Sequence, residues 1–166
     1  MTISPQRGGP SNATTAGANV GVLRPPLVYL SSVLTGTVLA VAWPLPFLPG
    51  ALAPPVGSSL VVIALALFSY SVRQFRAAGT PVPGNKPTTV IVRTGPYRLS
   101  RNPIYLAFSL LHLGIAIWVN SLWLIATLIA TVALMALVVI PREERYLERR
   151  FGAEYLDYKA SARRWL

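Results

Sequence analysis

Two short stretches of the sequence concentrate the polar side chains that could do chemistry. The first runs from Thr89 to Tyr105 and holds three arginines, two tyrosines and a Gly-Pro turn. In the second, Glu143 and Glu144 stand just after a long apolar run. Carboxylates this close to a membrane-like segment are costly unless a cation pairs with them. That partner is an arginine of the loop between the second and third apolar runs (the middle loop), an arginine of the C-terminal tail (141–166), or a cationic ligand.

The first stretch is expected to change conformation along its length. At its opening, residues 88–92 (TTVIV) are β-branched and mostly apolar, which favours an extended backbone over a helix. Gly95-Pro96 predicts a turn. Asn102-Pro103 is typical of a helix start, with asparagine at the N-cap and proline at the first helical position. Helix initiation alone explains that dipeptide, but a simple connector does not need the arginines and tyrosines around it.

Four apolar runs must position these residues, at about 27–43, 58–73, 104–119 and 122–140. A membrane crossing takes roughly 17–25 residues. The fourth run meets that length, whereas the second and third need snorkelling arginines or flanking aromatic residues to complete a span. A soluble bundle is disfavoured because the runs leave no polar face for water. The sequence therefore predicts an all-α integral membrane protein with four transmembrane helices and a cytoplasmic, amphipathic C-terminal helical segment.

Composition excludes several classes of protein. The chain has 166 residues, of which 53% are hydrophobic and 12% charged, against about 25% charged in an average soluble domain. It has no cysteine and one histidine, which excludes thiolate catalysis and multi-histidine metal sites. No carboxylate side chain precedes Glu143, so hydrolysis by paired carboxylates is set aside. The net charge is +10, and the basic residues flank the apolar runs. This position favours anionic lipid headgroups over nucleic acid as the partner.

The charge map predicts the orientation. All 15 basic residues fall on one side of a four-helix arrangement, so the positive-inside rule puts both termini, the middle loop and the chemistry in the cytoplasm. Residues 1–22 are rich in Gly, Ser, Thr and Asn and are expected to be disordered. Residues 23–166 are expected to form one membrane-embedded domain. Its tail, 141–166, is expected to be helical with a break at Gly152. Apolar residues recur there every three or four positions and form one stripe: Leu147, Phe151, Tyr155, Tyr158, Ala162 and Trp165.

Together the two stretches resemble the isoprenylcysteine carboxyl methyltransferase family and its phospholipid-methyltransferase relatives. That family's pattern is Gly-x-Tyr, then Arg-His-Pro-x-Tyr opening a membrane helix, a helical hairpin, Glu-Glu, and Phe-Gly-x-x-Tyr-x-x-Tyr. The matching residues occur here in the same order: Gly95, Tyr97, Arg101, Pro103, Tyr105, Glu143, Glu144, Phe151, Gly152, Tyr155 and Tyr158. One position departs from the pattern, because Asn102 stands where the carboxyl methyltransferases usually have histidine. Asparagine cannot take up a proton.

The resemblance implies a membrane enzyme that binds S-adenosylmethionine near the cytoplasmic surface and passes its methyl group to a lipophilic acceptor. Carried over by position, Glu144 is the cofactor-binding carboxylate, and Arg142 is an acceptor contact. The remaining implied cofactor contacts are Thr89, Val90, Ile91 and Val92 through backbone groups, with Tyr97, Asn102, Pro103, Ile104 and Tyr105. No metal is implied. The acceptor stays open among a prenylcysteine carboxylate, a phospholipid amine and a small lipophilic thiol, and no oligomeric state is predicted.

Two other functions stay open at this point. Sterol and steroid reductases that use NADPH share a similar tail, although they usually have more spans and a longer chain. A non-enzymatic scaffold that binds anionic lipid through its basic face is the second alternative. His112, in the third run, is either a proton relay or a partner in a helix–helix hydrogen bond, and the latter is the commoner role for such a residue.

Overall fold

The computed structural model describes residues 24–82 and 88–166. Within those ranges every regular element is helical, as predicted. The predicted disordered segment 1–22 lies outside the described residues. The elements are α1 (Pro25–Ala42), α2 (Ala53–Ala77), a 3-10 turn (Gly95–Arg98), α3 (Pro103–Trp118), α4 (Leu122–Leu134), a π-helical turn (Met135–Val139), α5 (Ile140–Phe151) and α6 (Ala153–Ser161).

In the described part of the chain, three helices are long and apolar enough to cross a membrane. They are α1, α2 and the continuous helix Leu122–Phe151 that joins α4, the π-helical turn and α5. The fourth predicted span, α3, is apolar but has 16 residues. At 1.5 Å per residue it rises about 24 Å, short of a hydrocarbon core of about 30 Å. The all-helical membrane architecture is confirmed, and the count of four crossings stays a prediction.

Two helix boundaries differ from the sequence-based expectation. Helix α2 begins at Ala53 rather than near Ser58, because the prolines that follow fit the first turn, where no backbone N–H is needed. At the other end of the chain, Pro141 does not interrupt the helix. The π-helical turn Met135–Val139 directly precedes it, and this wider turn accommodates the hydrogen bond and the space that proline denies to a regular helix. The span therefore continues directly into the polar segment that carries Glu143 and Glu144.

The helices pack as α2 against α3 and α1 against α4. Gly57 makes the first pair possible, since a Cβ atom there would lie 2.5 Å from the Trp118 nitrogen and 2.7 Å from the Gly114 carbonyl oxygen. Such small-residue contacts let membrane helices approach closely. Between α3 and α4, the buried His112 lies with Nε2 3.5 Å from Thr127 Oγ1. His112 therefore makes a contact between two helices, which is the commoner of the two roles expected for it.

The C-terminal segment folds back on the loop between α2 and α3. Gly152, with φ of +56°, separates α5 from α6 as predicted. The apolar stripe of α6 then packs against a loop that is non-helical through residues 88–94 and turns at Gly95. Buried members of this cluster are Phe75, Val92, Tyr97, Tyr155, Tyr158 and Ala162. The stripe of α6 therefore packs against protein.

Candidate functional site

The start of α3 forms one wall of the candidate site. Asn102 is at the N-cap and Pro103 opens the helix, as predicted. The asparagine side chain does not cap the helix; its Nδ2 donates to the backbone carbonyl of Arg164, 2.9 Å away. The backbone N–H of Asn102 donates to Ser100 Oγ at 3.1 Å. The residue that replaces the family histidine therefore ties the C-terminus of the chain to the helix start.

Glu144 lies at the centre of the site and is only 4% exposed. Arg101 donates from one terminal nitrogen to its Oε1 at 2.9 Å. Arg164 donates from Nε to Oε1 at 3.2 Å and from a terminal nitrogen to Oε2 at 2.7 Å. A buried carboxylate is tolerated when cations and hydrogen bonds surround it in this way. The partners are thus one arginine of the middle loop and one of the tail.

The two arginines are held very differently. Arg101 has a side chain 9% exposed, and its other terminal nitrogen donates to the carbonyls of Lys159 at 2.8 Å and Ala162 at 2.6 Å. Arg164 has a side chain 41% exposed, and its guanidinium bonds only to Glu144 among the described residues. Arg101 is therefore fixed in the protein, whereas Arg164 covers Glu144 from the solvent side.

Glu143, the neighbouring carboxylate, has a different environment. The Tyr105 hydroxyl donates to its Oε1 at 2.7 Å, and no ion pair reaches it from residues 24–82 or 88–166. Tyr105 belongs to a buried cluster with Tyr29, Met135, Val139 and Ile140. The two adjacent carboxylates lie where α3 and α5 both begin, a place that we call the rim. Glu144 lies between two guanidinium groups, and Glu143 lies against a phenol.

Tyr97 is buried in the 3-10 turn of the loop between α2 and α3. Its ring meets Phe75 edge-on at 5.1 Å, and its backbone carbonyl accepts from the Tyr158 hydroxyl at 2.8 Å. Its own hydroxyl is buried without a hydrogen-bond partner in the described part of the chain, and burial raises the pKa of Tyr97. Burial also raises the pKa of Tyr158 to about 12, although the charges of Arg101 and Arg93 oppose the rise. Both phenols are therefore neutral at physiological pH.

Most of the predicted cofactor contacts converge on this region. Ile104 packs against both the Tyr97 cluster and the Tyr105 cluster, and so joins them. Ile91 and Val92 pack against the Tyr97 cluster. The backbone N–H and C=O groups of residues 90–92 make no hydrogen bond within the described ranges.

Three predicted residues are less closely joined to the site. Thr89 directs both its backbone N–H and its hydroxyl to Thr80 Oγ1, at 3.0 and 2.9 Å. Val90 is 47% exposed. Arg142 is exposed, and no hydrogen bond or ion pair involves it within residues 24–82 and 88–166. It lies at the rim as an unpaired cation rather than inside the site.

Sequence reasoning missed two residues that shape the site, Arg101 as a site residue and Arg164 altogether. The position of Arg101, directly before Asn102-Pro103, was a usable signal because a helix start brings it to the same rim as Glu144. Nothing local marks Arg164, whose neighbour Arg163 is also an arginine. Its role depends on where the last residues of the chain return.

Comparison with known proteins now gives the family. A model described as phospholipid methyltransferase matches residues 53–154. This chain belongs to the phospholipid methyltransferase family. The matched range contains both chemical stretches and helices α2 to α5, so the family resemblance seen in the sequence is confirmed. Membership makes the protein a membrane methyltransferase in general terms.

A relative gives a second point of similarity. An uncharacterized protein of Haemophilus influenzae is 43% identical over 65 residues, which are 38% of this chain and 100% of that protein. No solved structure matches. The family match ends at Glu154, so the C-terminal residues that reach Glu144 and Asn102 lie beyond the range this family model covers.

Proposed function

We propose that this member of the family transfers a methyl group from S-adenosylmethionine to a lipophilic acceptor at the membrane surface. The observation that carries the proposal is the meeting of the first turns of α3 and α5, where Tyr105 binds Glu143 and Arg101 binds Glu144. Two carboxylates, an aromatic wall and the end of a membrane-spanning helix coincide there. The same segments lie inside the family match.

The chemistry of the surrounding groups fits this cofactor. S-adenosylmethionine carries a sulfonium and an ammonium, and carboxylates are the natural partners of the ammonium. Glu144 would hold that group, with Asn102 to Tyr105 beside it. The backbone of Thr89 to Val92 would line the adenosine part, since the main-chain groups of 90–92 have no other partner in the described ranges. The unpartnered Tyr97 hydroxyl is a further polar group for it.

When bound, the cofactor supplies an electrophilic methyl group on a good leaving group. The protein then needs to align the acceptor and exclude water, and such alignment contributes about 7–11 kcal/mol toward the barrier. The Tyr97 or Tyr105 ring facing a sulfonium would add about 0.5–2 kcal/mol. No acid, base or metal is required for a carboxylate or thiolate acceptor. The absence of histidine at position 102 is therefore compatible with transfer to these two acceptors, whereas a phospholipid amine would first have to lose a proton.

The acceptor would reach the site from the bilayer. The family description favours a lipid, and a phospholipid amine, a prenylcysteine carboxylate and a small lipophilic thiol are the three classes to test. Arg142 follows the apolar run 122–140 by two residues and is exposed, which suits contact with an anionic acceptor or a lipid headgroup. The other exposed arginines of α5 would face anionic headgroups at the same level.

The proposed topology has four crossings, both termini in the cytoplasm, and residues 23–166 as one domain. Contacts at the two ends of α3 support it. At its start, Arg101 pairs with Glu144. At its end, the Asn120 amide accepts from the backbone N–H of Leu48 at 2.9 Å and donates to the Leu48 carbonyl at 2.8 Å. Helix α3 thus joins the rim shared with α5 to the rim shared with the loop after α1.

Calorimetric titration of the protein in lipid nanodiscs tests the proposal. S-adenosylmethionine should bind the wild type, and Glu144→Gln should lose most of that affinity. Glu154→Gln is the matched control, because Glu154 forms an exposed ion pair with Arg93 at 3.8 Å and is not one of the proposed cofactor contacts. Binding of NADPH instead would support a reductase, and binding of neither would support a lipid-binding scaffold.

A further inference from the structure

The last residues of the chain, Ala162–Leu166, form a segment that we name the C-terminal strap. Two hydrogen bonds between backbone groups hold it beside the start of α3. Arg101 N–H donates to the Arg163 carbonyl at 2.8 Å, and Arg163 N–H donates to the Leu99 carbonyl at 3.1 Å. The strap therefore lies on the same loop that leads into the candidate site.

Two strap contacts fall on residues proposed to hold the methyl donor, and a third falls on the buried cluster that contains Tyr105. The Arg164 guanidinium covers both oxygens of Glu144. The Arg164 carbonyl accepts from Asn102. The Trp165 ring packs against the buried cluster that contains Tyr105. One short segment thus engages a charged, a polar and an aromatic part of the site together.

Glu144 cannot bind the Arg164 guanidinium and the donor's ammonium in the same position at the same time. Its Oε2 accepts from Arg164 at 2.7 Å, its Oε1 accepts from both arginines, and the residue is 4% exposed. An ammonium that is to pair with this carboxylate must therefore remove one guanidinium. Arg101 is unsuitable, because two backbone carbonyls also bind it. Arg164, with an exposed side chain, is the replaceable cation.

We propose that the strap is an autoinhibitory latch, in which the Arg164 guanidinium occupies the carboxylate that receives the donor's ammonium until the donor displaces it. The proposal rests on the proposed function, since it assumes that Glu144 binds the donor. In the latched state Arg164 occupies the place where the ammonium would pair with Glu144. A protein whose competent state is only part of the population binds its ligand with a correspondingly reduced apparent affinity.

Arginine variants test the latch by binding measurements. Arg164→Ala should bind S-adenosylmethionine about three- to tenfold more tightly than the wild type, because the competing latched state is lost. Arg163→Ala is the matched control: it removes an exposed side chain next in sequence and should leave the affinity unchanged. Arg164→Lys, which keeps the charge without the two-pronged contact, should lie between Arg164→Ala and the wild type.

A second ligand separates the latch from a general effect on the fold. 5′-Methylthioadenosine has the adenosine part without the amino-acid end, so it has no ammonium to compete for Glu144. Its affinity should be the same for the wild type and Arg164→Ala. Equal or weaker binding of S-adenosylmethionine by Arg164→Ala, with the wild type binding normally, would overturn the latch alone. Failure of wild type and variant alike to bind it would overturn the proposed function, and the latch with it.

Displacement of the strap has its own readout. The chain has no cysteine, and Leu166 is 69% exposed, so Leu166→Cys gives a single labelling position. An environment-sensitive fluorophore there should change its emission when S-adenosylmethionine is added, but not when 5′-methylthioadenosine is added. An unchanged emission at saturating S-adenosylmethionine would mean that the strap stays in place, which contradicts the proposal.

Discussion

Tyr105 and Glu143 connect the first turns of two helices that are 38 residues apart in sequence, through a hydrogen bond of 2.7 Å. The bond holds the start of α3 against the start of α5 at the rim where the membrane-spanning helix becomes polar. It is also the one hydrogen bond from the described side chains to Glu143. Everything proposed for the site depends on these two helix starts staying together.

Tyr105→Phe should disturb this junction without changing the shape of the side chain. A partly buried carboxylate left without its partner costs about 1–3 kcal/mol, so the variant should lose stability and most methyl-transfer activity. Tyr146→Phe is the control, because that hydroxyl accepts only a 3.3 Å bond from Arg150 at the surface. Thermal unfolding in detergent and activity in liposomes are the measurements. Equal behaviour of the two variants would show that the Tyr105 bond does not organise the site.

Tyr97→Phe should separate ligand binding from stability. The Tyr97 hydroxyl is buried and unpartnered in the described chain, so its removal should leave the protein as stable or more stable. Affinity for S-adenosylmethionine should fall if that hydroxyl contacts the cofactor. Tyr158→Phe is expected to do the reverse, because it removes a 2.8 Å bond to the Tyr97 carbonyl and about 1 kcal/mol of stability. An unchanged affinity for Tyr97→Phe would remove Tyr97 from the proposed contacts.

Gly57→Ala should damage the packing of α2 on α3. The added methyl would meet backbone atoms at 2.5 to 2.7 Å, which cannot shift without separating the helices, and a loss of 1–3 kcal/mol or more is expected, roughly that of an overpacked core. Gly50→Ala is the matched control, since nothing lies within 4 Å of its Cβ position. The yield of folded protein on size-exclusion chromatography compares them. Equal yields would contradict the close approach.

Membrane topology can be tested with single cysteines at Ala51 and Asp157, both exposed. With four crossings these positions lie on opposite sides of the membrane, so an impermeant maleimide should label only one of them in sealed vesicles of one orientation. If α3 does not cross, the count falls to three and both positions label from the same side. The absence of native cysteine keeps the background low.

Local sequence patterns predicted the helices better than they predicted which side chains pair with each other. The helix start at Asn102-Pro103 and the break at Gly152 were predictable, because backbone restrictions at those residues act within one turn. The early start of α2 and the continuity through Pro141 were not, since a proline-rich segment reads equally well as a loop. A π-helical turn before proline has no clear sequence signal.

The carboxylate partners show a second limit. Sequence reasoning narrowed the partner of Glu144 to a loop arginine, a tail arginine or a ligand, and the structure contains the first two together. Which of Arg163 and Arg164 pairs with Glu144 depends on the path of the strap. Contacts with Leu99 and Asn102, which are distant in sequence, determine that path. Tyr105 as the partner of Glu143 required the same knowledge of how α3 meets α5.

The most direct test of the central claim is transfer of a radiolabelled methyl group from S-adenosylmethionine into a total lipid extract, with the protein in liposomes. The account predicts label in the organic phase with the wild type and with Glu148→Gln, whose ion pair with Lys159 is partly exposed. It predicts little or no label with Glu144→Gln. Absence of label with folded wild-type protein, or equal labelling by Glu144→Gln, would contradict the claim that this rim is a methyl-transfer site.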